Sequence, residues 1–267
     1  MSSSGMIVAA SVWALSTLIV AGADSQAGPA PAEAVPPSLV EDLVYANRIL
    51  YDQGVLDGFG HVSMRDPRNA EHFLLARSMA PALVKAADIL VYDQNGTPLN
   101  AGDRRVYLER FIHAAIYRAR PDVNAIVHSH SLSVIPFSVT GTPLRPIYHM
   151  SAFLGAGAPI FDIRETAGAT DMLISDNRLG NALARTLDDR TAVLLRGHGA
   201  VNVGSSVQQA TFRAVYTETN AKLQAEAIQL GTVTYLSPEE ATKAAAALDG
   251  QLVRAWDLWK ARIGKIE

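Results

Sequence analysis

No cysteine occurs among the 267 residues, which removes disulfides, thiolate nucleophiles and cysteine-ligated zinc in one step. Any metal site must therefore draw on His, Asp or Glu. The absence leaves the compartment open, because a cysteine-free chain suits either redox environment. Net charge is small as well: 23 Lys and Arg stand against 26 Asp and Glu, for a formal charge of -3. A nucleic-acid-binding surface would need a clustered excess of basic residues, so no nucleic acid is expected and small molecules are the expected partners. With 49% hydrophobic and 18% charged residues, the chain has the make-up of an ordinary globular protein able to bury a large core. The length allows one large domain or two small ones, and since no second boundary is visible the reading is a single domain over 38–267.

Basic residues are also missing ahead of the first apolar run. Met6 to Ala23 is almost wholly apolar, followed by a Pro/Ala-rich stretch through Pro37. Residues 1–37 read as a signal peptide or anchor plus linker, with small residues for cleavage at Ala21-Gly22-Ala23 or Ser25-Gln26-Ala27. A cleaved segment implies a periplasmic or secreted protein. An uncleaved one, close to the roughly 18 to 20 residues that span a bilayer, would make the membrane a partner through this segment alone. A mis-called start would make the protein cytoplasmic.

From Ser38 onward helical and strand periods alternate, the signature of a layered α/β domain. Ser38 and Glu41 form a capping-box pattern ahead of Leu39, Leu43, Ala46, Ile49 and Leu50 at helical spacing. Phe73–Ala76 and Ile89–Tyr92 are short apolar runs, the second leading into the turn Asp93-Gln94-Asn95-Gly96. Arg104–Arg120 reads as an amphipathic helix stopped by Pro121. Ala125–His130 and Ala192–Gly199 both read as buried strands that end in polar residues. A long helix over Val207–Leu230 and a shorter one ending near Ile263 close the pattern.

His128 and His130 stand two apart on a strand, so their imidazoles share a face and can meet one metal ion. His198, in the glycine-flanked turn Gly197-His198-Gly199, is a candidate third ligand, and three imidazoles with an open position describe a catalytic site. Glu109 stands among apolar neighbours just before the first of these strands, where a carboxylate is costly without a partner. A surface ion pair with Arg105 or Arg110 is the bland account of it; beside a metal-bound substrate it would carry a proton.

Three separated motifs resemble the class II aldolase/adducin family in order: Gly60-His61-Val62-Ser63-Met64-Arg65, the run from Glu109 through His113 and Pro121 to His128-Ser129-His130, and Leu195-Arg196-Gly197-His198-Gly199. The resemblance spans about Leu39 to Tyr235. It implies a three-layer α/β/α fold with a mixed, largely antiparallel sheet. It also implies zinc, manganese or, in one branch, iron on the matched histidines, with Glu109 as acid/base. The family usually assembles as a homotetramer with sites between subunits, and Tyr216 and Tyr235 are the open candidates for a residue donated across that interface.

The sugar-phosphate members of the family hold phosphate with a Gly-Asn-Val-Ser loop, a Thr-Gly turn and a Ser-Ser pair. This chain has His61, Ser78-Met79 and Tyr107-Leu108 there, and Met79 and Leu108 do not cradle phosphate. In their place stand His61, Arg77, Ser78, Tyr148, His149 and Arg164, cations and aromatics suited to an aromatic acid. Gly-His-Val-Ser, Ala-Arg-Ser, His-Ser-His-Ser and Tyr-His-Met together resemble the hydroxy-aromatic decarboxylase branch. That branch implies loss of carbon dioxide from a hydroxylated aromatic or heteroaromatic acid. Simple aldol cleavage, iron-dependent oxygen chemistry and a non-catalytic adducin-like module are the alternatives.

Overall fold

The computed structural model describes residues 1–2 and 35–266. The apolar run, its cleavage positions and the linker up to residue 34 lie outside the described residues. Every element below belongs to the unit Val35–Glu267. Among the described residues no helix is long and apolar enough to cross a membrane.

The strands are β1 (His61–Arg65), β2 (His72–Ala76), β3 (Ile89–Asp93), β4 (Ala125–Ser129), β5 (Ile160–Phe161), β6 (Ala192–Leu195) and β7 (Gly199–Gly204). The helices are α1 (Pro37–Asp52), α2 (Arg110–Ala119), α3 (Ile135–Val139), α4 (Arg164–Ala167), α5 (Asn177–Leu187), α6 (Val207–Leu230), α7 (Pro238–Asp249) and α8 (Leu252–Ile263). The strands form one sheet in the order β3-β2-β1-β4-β7-β6-β5, antiparallel throughout except for the β5–β6 pair.

Side chains alternate across a pleated strand, and this sheet uses both faces for burial. In β4, Ala125 and Val127 pack with Leu43 and Leu50 of α1, Phe212 of α6 and Trp256 and Trp259 of α8. Ile126, between them, packs on the other face with Ile112 and Ile116 of α2 and Leu179 and Leu183 of α5. The result is the expected three-layer α/β/α arrangement. Because His128 is in step with Ile126, its ring emerges on the α2 side.

Two helix starts differ from the periodicity. α1 begins at Pro37, with Pro36 rather than Ser38 as its cap, because a proline at the first helical position has no N–H left to satisfy. α2 begins at Arg110 rather than Arg104. The Arg105 carbonyl accepts from Ser78 N–H (2.9 Å) and the Tyr107 hydroxyl is tied to the Met79 backbone, so this stretch is drawn along the β2–β3 connection and cannot coil. Glu109 becomes the cap residue of α2, at the end of the helix nearest the sheet's polar strand ends. The Val207–Leu230 helix runs as its pattern predicts, with Ser206 accepting from Gln209 N–H at 3.1 Å at its start.

Candidate metal centre and substrate pocket

His128 is fully buried at the end of β4, His130 follows one residue past that strand, and His198 stands in the tight turn between β6 and β7. β4 and β7 pair as neighbours, with His128 opposite Val201 and Ser129 opposite Ala200, which brings the β6–β7 turn over the end of β4. The approach is close enough to require glycine at two points. A Cβ on Gly199 would fall 1.9 Å from the Ser129 carbonyl oxygen, and one on Gly60, at φ +85°, would fall 2.9 Å from the His128 carbonyl oxygen.

Ligand atoms of Glu109, His128, His130 and His198 all lie within 4.8 Å of one another. His198 Nε2 is 3.0 Å from His130 Nε2, and Glu109 Oε2 lies 3.4 Å from His128 Nε2 and 3.6 Å from His198 Nε2. The far nitrogens are anchored to the backbone: His128 Nδ1 is 3.2 Å from the Ala200 carbonyl and His198 Nδ1 is 3.1 Å from that of Met172. Each Nδ1–H can donate to its carbonyl, which leaves the Nε2 lone pair turned into the cluster, as metal-binding imidazoles require. His128 Nε2 is buried and has no hydrogen-bond partner. A buried nitrogen left without a partner is costly unless something else fills that role, and a cation among three imidazoles and a carboxylate does so. The donor set therefore fits a divalent metal ion.

Charge states agree with that reading. Burial, reinforced by the neighbouring His128 ring, holds His198 down to about 4 and His130 below its ordinary value, so both are neutral lone-pair donors at pH 7. Burial alone would raise the Glu109 carboxyl; the His128 and His198 rings and the Ile174 N–H on Oε1 (3.0 Å) outweigh it and hold the group down to about 2. No ion pair joins Glu109 to Arg105 or Arg110 among the described residues. Arg110 donates instead to the Gly96 and Tyr107 carbonyls.

Beside the cluster opens a pocket of about 320 Å³, bordered by Glu109 and His130. His61 and Ser78 line it, as the sequence suggests. So do Met79, Tyr107 and Leu108, which the sequence sets at the family's phosphate-holding positions, and Phe59 and Leu173, which sequence reasoning did not place in a site. Phe59 is 68% exposed and stacks at 6.1 Å on the His130 ring; its setting between Gly58 and Gly60 was the available signal.

Within one chain the remaining candidates sit elsewhere. Arg77 is not among the lining residues, and its guanidinium is held by Asp88 at 2.6 Å. Arg164 is on the surface, paired with Asp162 at 2.6 Å, and Arg196 shares the same carboxylate at 2.9 Å. Tyr148 packs toward Tyr216 of α6, and His149 is exposed at the start of a short 3₁₀ segment, His149–Leu154. A larger concavity of about 670 Å³ lies between α2 and α5; two of its arginines, Arg118 and Arg120, are taken up by Asn177, Asn181 and Asp122.

Comparison with known proteins agrees with this architecture. Residues 41–225 match the Class II Aldolase and Adducin N-terminal domain. Decarboxylase tropJ of Talaromyces stipitatus is 35% identical over 244 residues, covering 82% of this chain and 92% of that protein. The 3,4-dihydroxyphthalate decarboxylase of Arthrobacter keyseri is 31% identical over 206 residues, covering 72% and 79%. Among solved structures, an L-fuculose 1-phosphate aldolase from Glaciozyma antarctica superposes with a TM-score of 0.70 at 26% identity, over 88% of this chain and 94% of that one. The match to the family's domain covers more than half of the chain and carries both histidine motifs and the glutamate: this protein belongs to the class II aldolase and adducin family.

Proposed function

We propose that the chain is a metal-dependent decarboxylase of a hydroxylated aromatic or heteroaromatic acid, with Glu109 as proton carrier and His128, His130 and His198 as ligands of the ion. Decarboxylases and class II aldolases are both carbon–carbon lyases, and this chain is a lyase of that family. The observation that carries the finer reading is the combination of that donor cluster with a pocket walled by Phe59, Met79, Tyr107, Leu108 and Leu173. Met79 and Leu108 offer no donors to a phosphate, whereas flat apolar walls suit a ring. Zinc or manganese is the proposed ion, the assembly a homotetramer, and an exported location rests on the apolar run over 6–23 alone.

Held by His128, His130 and His198, a divalent ion would supply Lewis acidity toward the oxygens of a hydroxy acid, which would ease cleavage of the carbon–carbon bond to carbon dioxide. The rest falls to the chain's own groups. Ionised Glu109, steadied by the Ile174 N–H, is a base: its Oε2 takes the proton of a ring hydroxyl ortho to the carboxylate. As carbon dioxide departs, the bond's electron pair stays on the ring carbon, and Glu109 returns the proton there. The product leaves as a phenolate and Glu109 is ionised again, so protons and electrons balance. His61 and Ser78 meet the substrate's polar edge, and the apolar walls exclude water that would otherwise compete for the proton transfer.

The test is metal analysis of the purified protein with carbon dioxide release from a panel of ortho-hydroxy aromatic carboxylates that includes 3,4-dihydroxyphthalate. Stoichiometric metal with release on any member supports the reading. Glu109→Gln should keep the metal and lose turnover; an active variant removes Glu109 from the mechanism. Metal without release on any member would turn the assignment toward aldol cleavage.

A further inference from the structure

α2 turns three polar side chains onto the sheet at four-residue steps: Glu109 at its cap, then His113, then Tyr117. Glu109 belongs to the metal cluster. The other two play no part in the chemistry above, yet His113 and Tyr117 are buried to 0% and 1% exposure. Buried polar groups are tolerated when hydrogen-bonded, and these are joined in a single chain. The Tyr117 hydroxyl lies 2.8 Å from Ser63 Oγ, Ser63 Oγ lies 2.6 Å from His113 Nδ1, and His113 Nε2 lies 2.7 Å from His61 Nδ1. His61, opposite His128 across the β1–β4 pair, lines the substrate pocket. Its other nitrogen, Nε2, makes no hydrogen bond among the described residues.

A chain of this kind can run its hydrogens in one of two directions. Were His61 to donate from Nδ1, each member would hand a hydrogen inward, and the Tyr117 O–H at the inner end would need an acceptor of its own. Among the described residues Ser63 Oγ is the one hydrogen-bond partner of that hydroxyl. The inward direction therefore strands a buried O–H, a penalty worth roughly ten- to a hundredfold in population. In the outward direction every group is satisfied: Tyr117 donates to Ser63, Ser63 donates to His113 Nδ1, and His113 Nε2–H donates to His61 Nδ1. His61 then carries its own hydrogen on Nε2.

We infer that Ser63 and His113 are positioning residues that lock His61 in its Nε2–H tautomer, with Tyr117 filling the Ser63 acceptor, so that the pocket receives a fixed hydrogen-bond donor suited to a carboxylate oxygen. The lock also accounts for why His61, whose ring centroid is 5.1 Å from that of His128, is no fourth imidazole ligand: the nitrogen free to reach an ion holds a hydrogen instead of a lone pair. Only the identity of the acceptor rests on the decarboxylase reading; the tautomer does not.

The experiment is a long-range ¹H–¹⁵N spectrum of the full chain, labelled on its histidines and loaded with zinc, which separates protonated from bare ring nitrogens. His61 and His113 should each show a protonated Nε2 and a bare Nδ1. A wild-type His61 protonated on Nδ1 overturns the inference. Ser63→Ala removes the hydroxyl that donates to His113 Nδ1, so neither direction of the chain is favoured and His61 should pass to a mixture of tautomers. Affinity for phthalate, a dicarboxylate without a hydroxyl to react, should then fall about tenfold. Tyr117→Phe leaves Ser63 donating to His113, with no acceptor for that hydroxyl in the other direction, and should change neither tautomer nor affinity. A Ser63→Ala protein with both tautomer and phthalate affinity unchanged refutes the lock. Failure of wild type to bind phthalate, with the spectrum as expected, refutes the choice of a carboxylate partner and leaves the lock standing.

Discussion

Replacing His113 by asparagine should flatten the acid side of the protein's stability profile. In the fold the His113 ring is wholly buried, and burial, with the His128 ring nearby, lowers its pKa from 6.5 to about 3. The unfolded chain takes up a proton on this ring below pH 6.5, whereas the folded chain refuses it until about pH 3. Unfolding therefore binds a proton across that window. The contribution of the neutral ring is present in full above pH 6.5 and drains as pH falls, by about 1.4 kcal/mol per unit. Between pH 6.5 and 5 the loss is about 2 kcal/mol, the same for any folded value well below 5. Urea unfolding of the wild-type and His113→Asn proteins at these two pH values, both with EDTA so that acid release of metal plays no part, reads the difference directly. Surface groups remote from His113 contribute equally to both proteins and cancel. The wild type should lose about 2 kcal/mol more than the variant. Parallel losses would refute the reasoning, because they would mean that the ring is protonated in the fold at its ordinary pKa.

Three further outcomes follow from the site. Chelation should lower the melting temperature, since an ion bound to the folded form alone adds about 4 kcal/mol when free metal stands a thousandfold above its Kd; calorimetry with and without zinc measures this, and in His128→Ala the two scans should coincide. Gly199→Ala places a methyl group 1.9 Å from the Ser129 carbonyl, so β4 and the β6–β7 turn must separate, at a cost of about 3 kcal/mol in urea unfolding and with loss of zinc affinity; a variant of wild-type stability and affinity would show that the two backbones are not so close. Arg164→Ala should leave KM within twofold on any substrate of the panel, because this surface guanidinium pairs with Asp162 away from the pocket; a rise of tenfold or more would bring Arg164 back to the site.

Much of the layered fold was legible because periodicity and punctuation agreed. Val207–Leu230 opens on a serine cap and stops at a glycine, and Ile89–Asp93 leads into its turn as the Asp93-Gln94-Asn95-Gly96 sequence indicates. The spacing of His128 and His130 put both rings near one point, and the approach of the β6–β7 turn through Gly199 brings His198 to them. The start of α2 was not legible, since the backbone of Arg105 and the ring of Tyr107 are claimed by Ser78 and Met79, partners nearly thirty residues away. The arginines stand apart for a different reason. Arg77 and Arg164 were read by what a guanidinium could offer a ligand, while each had a carboxylate at hand, Asp88 and Asp162, that holds it first. An arginine is available to a substrate only after its local carboxylates have been counted.

His113 and Tyr117 show where a one-dimensional reading ends. On a helix whose Ile112, Ala115 and Ile116 are buried, a histidine and a tyrosine at the next positions look like further core residues, and buried they are. What distinguishes them is a register in the sheet: pairing His61 with His128 sets Ser63, two residues on, opposite Ile126 and under α2. Glu109, His113 and Tyr117 then fall in line over His128, His61 and Ser63, one helix stripe laid on two neighbouring strands. The four-residue step of a helix and the two-residue step of a strand meet here on a common face, so one stripe supplies both the cluster's carboxylate and the support of His61. Moving α2 by one residue would strip the cluster of its carboxylate and His61 of its partner together, which ties the placement of Glu109 to the orientation of the His61 ring.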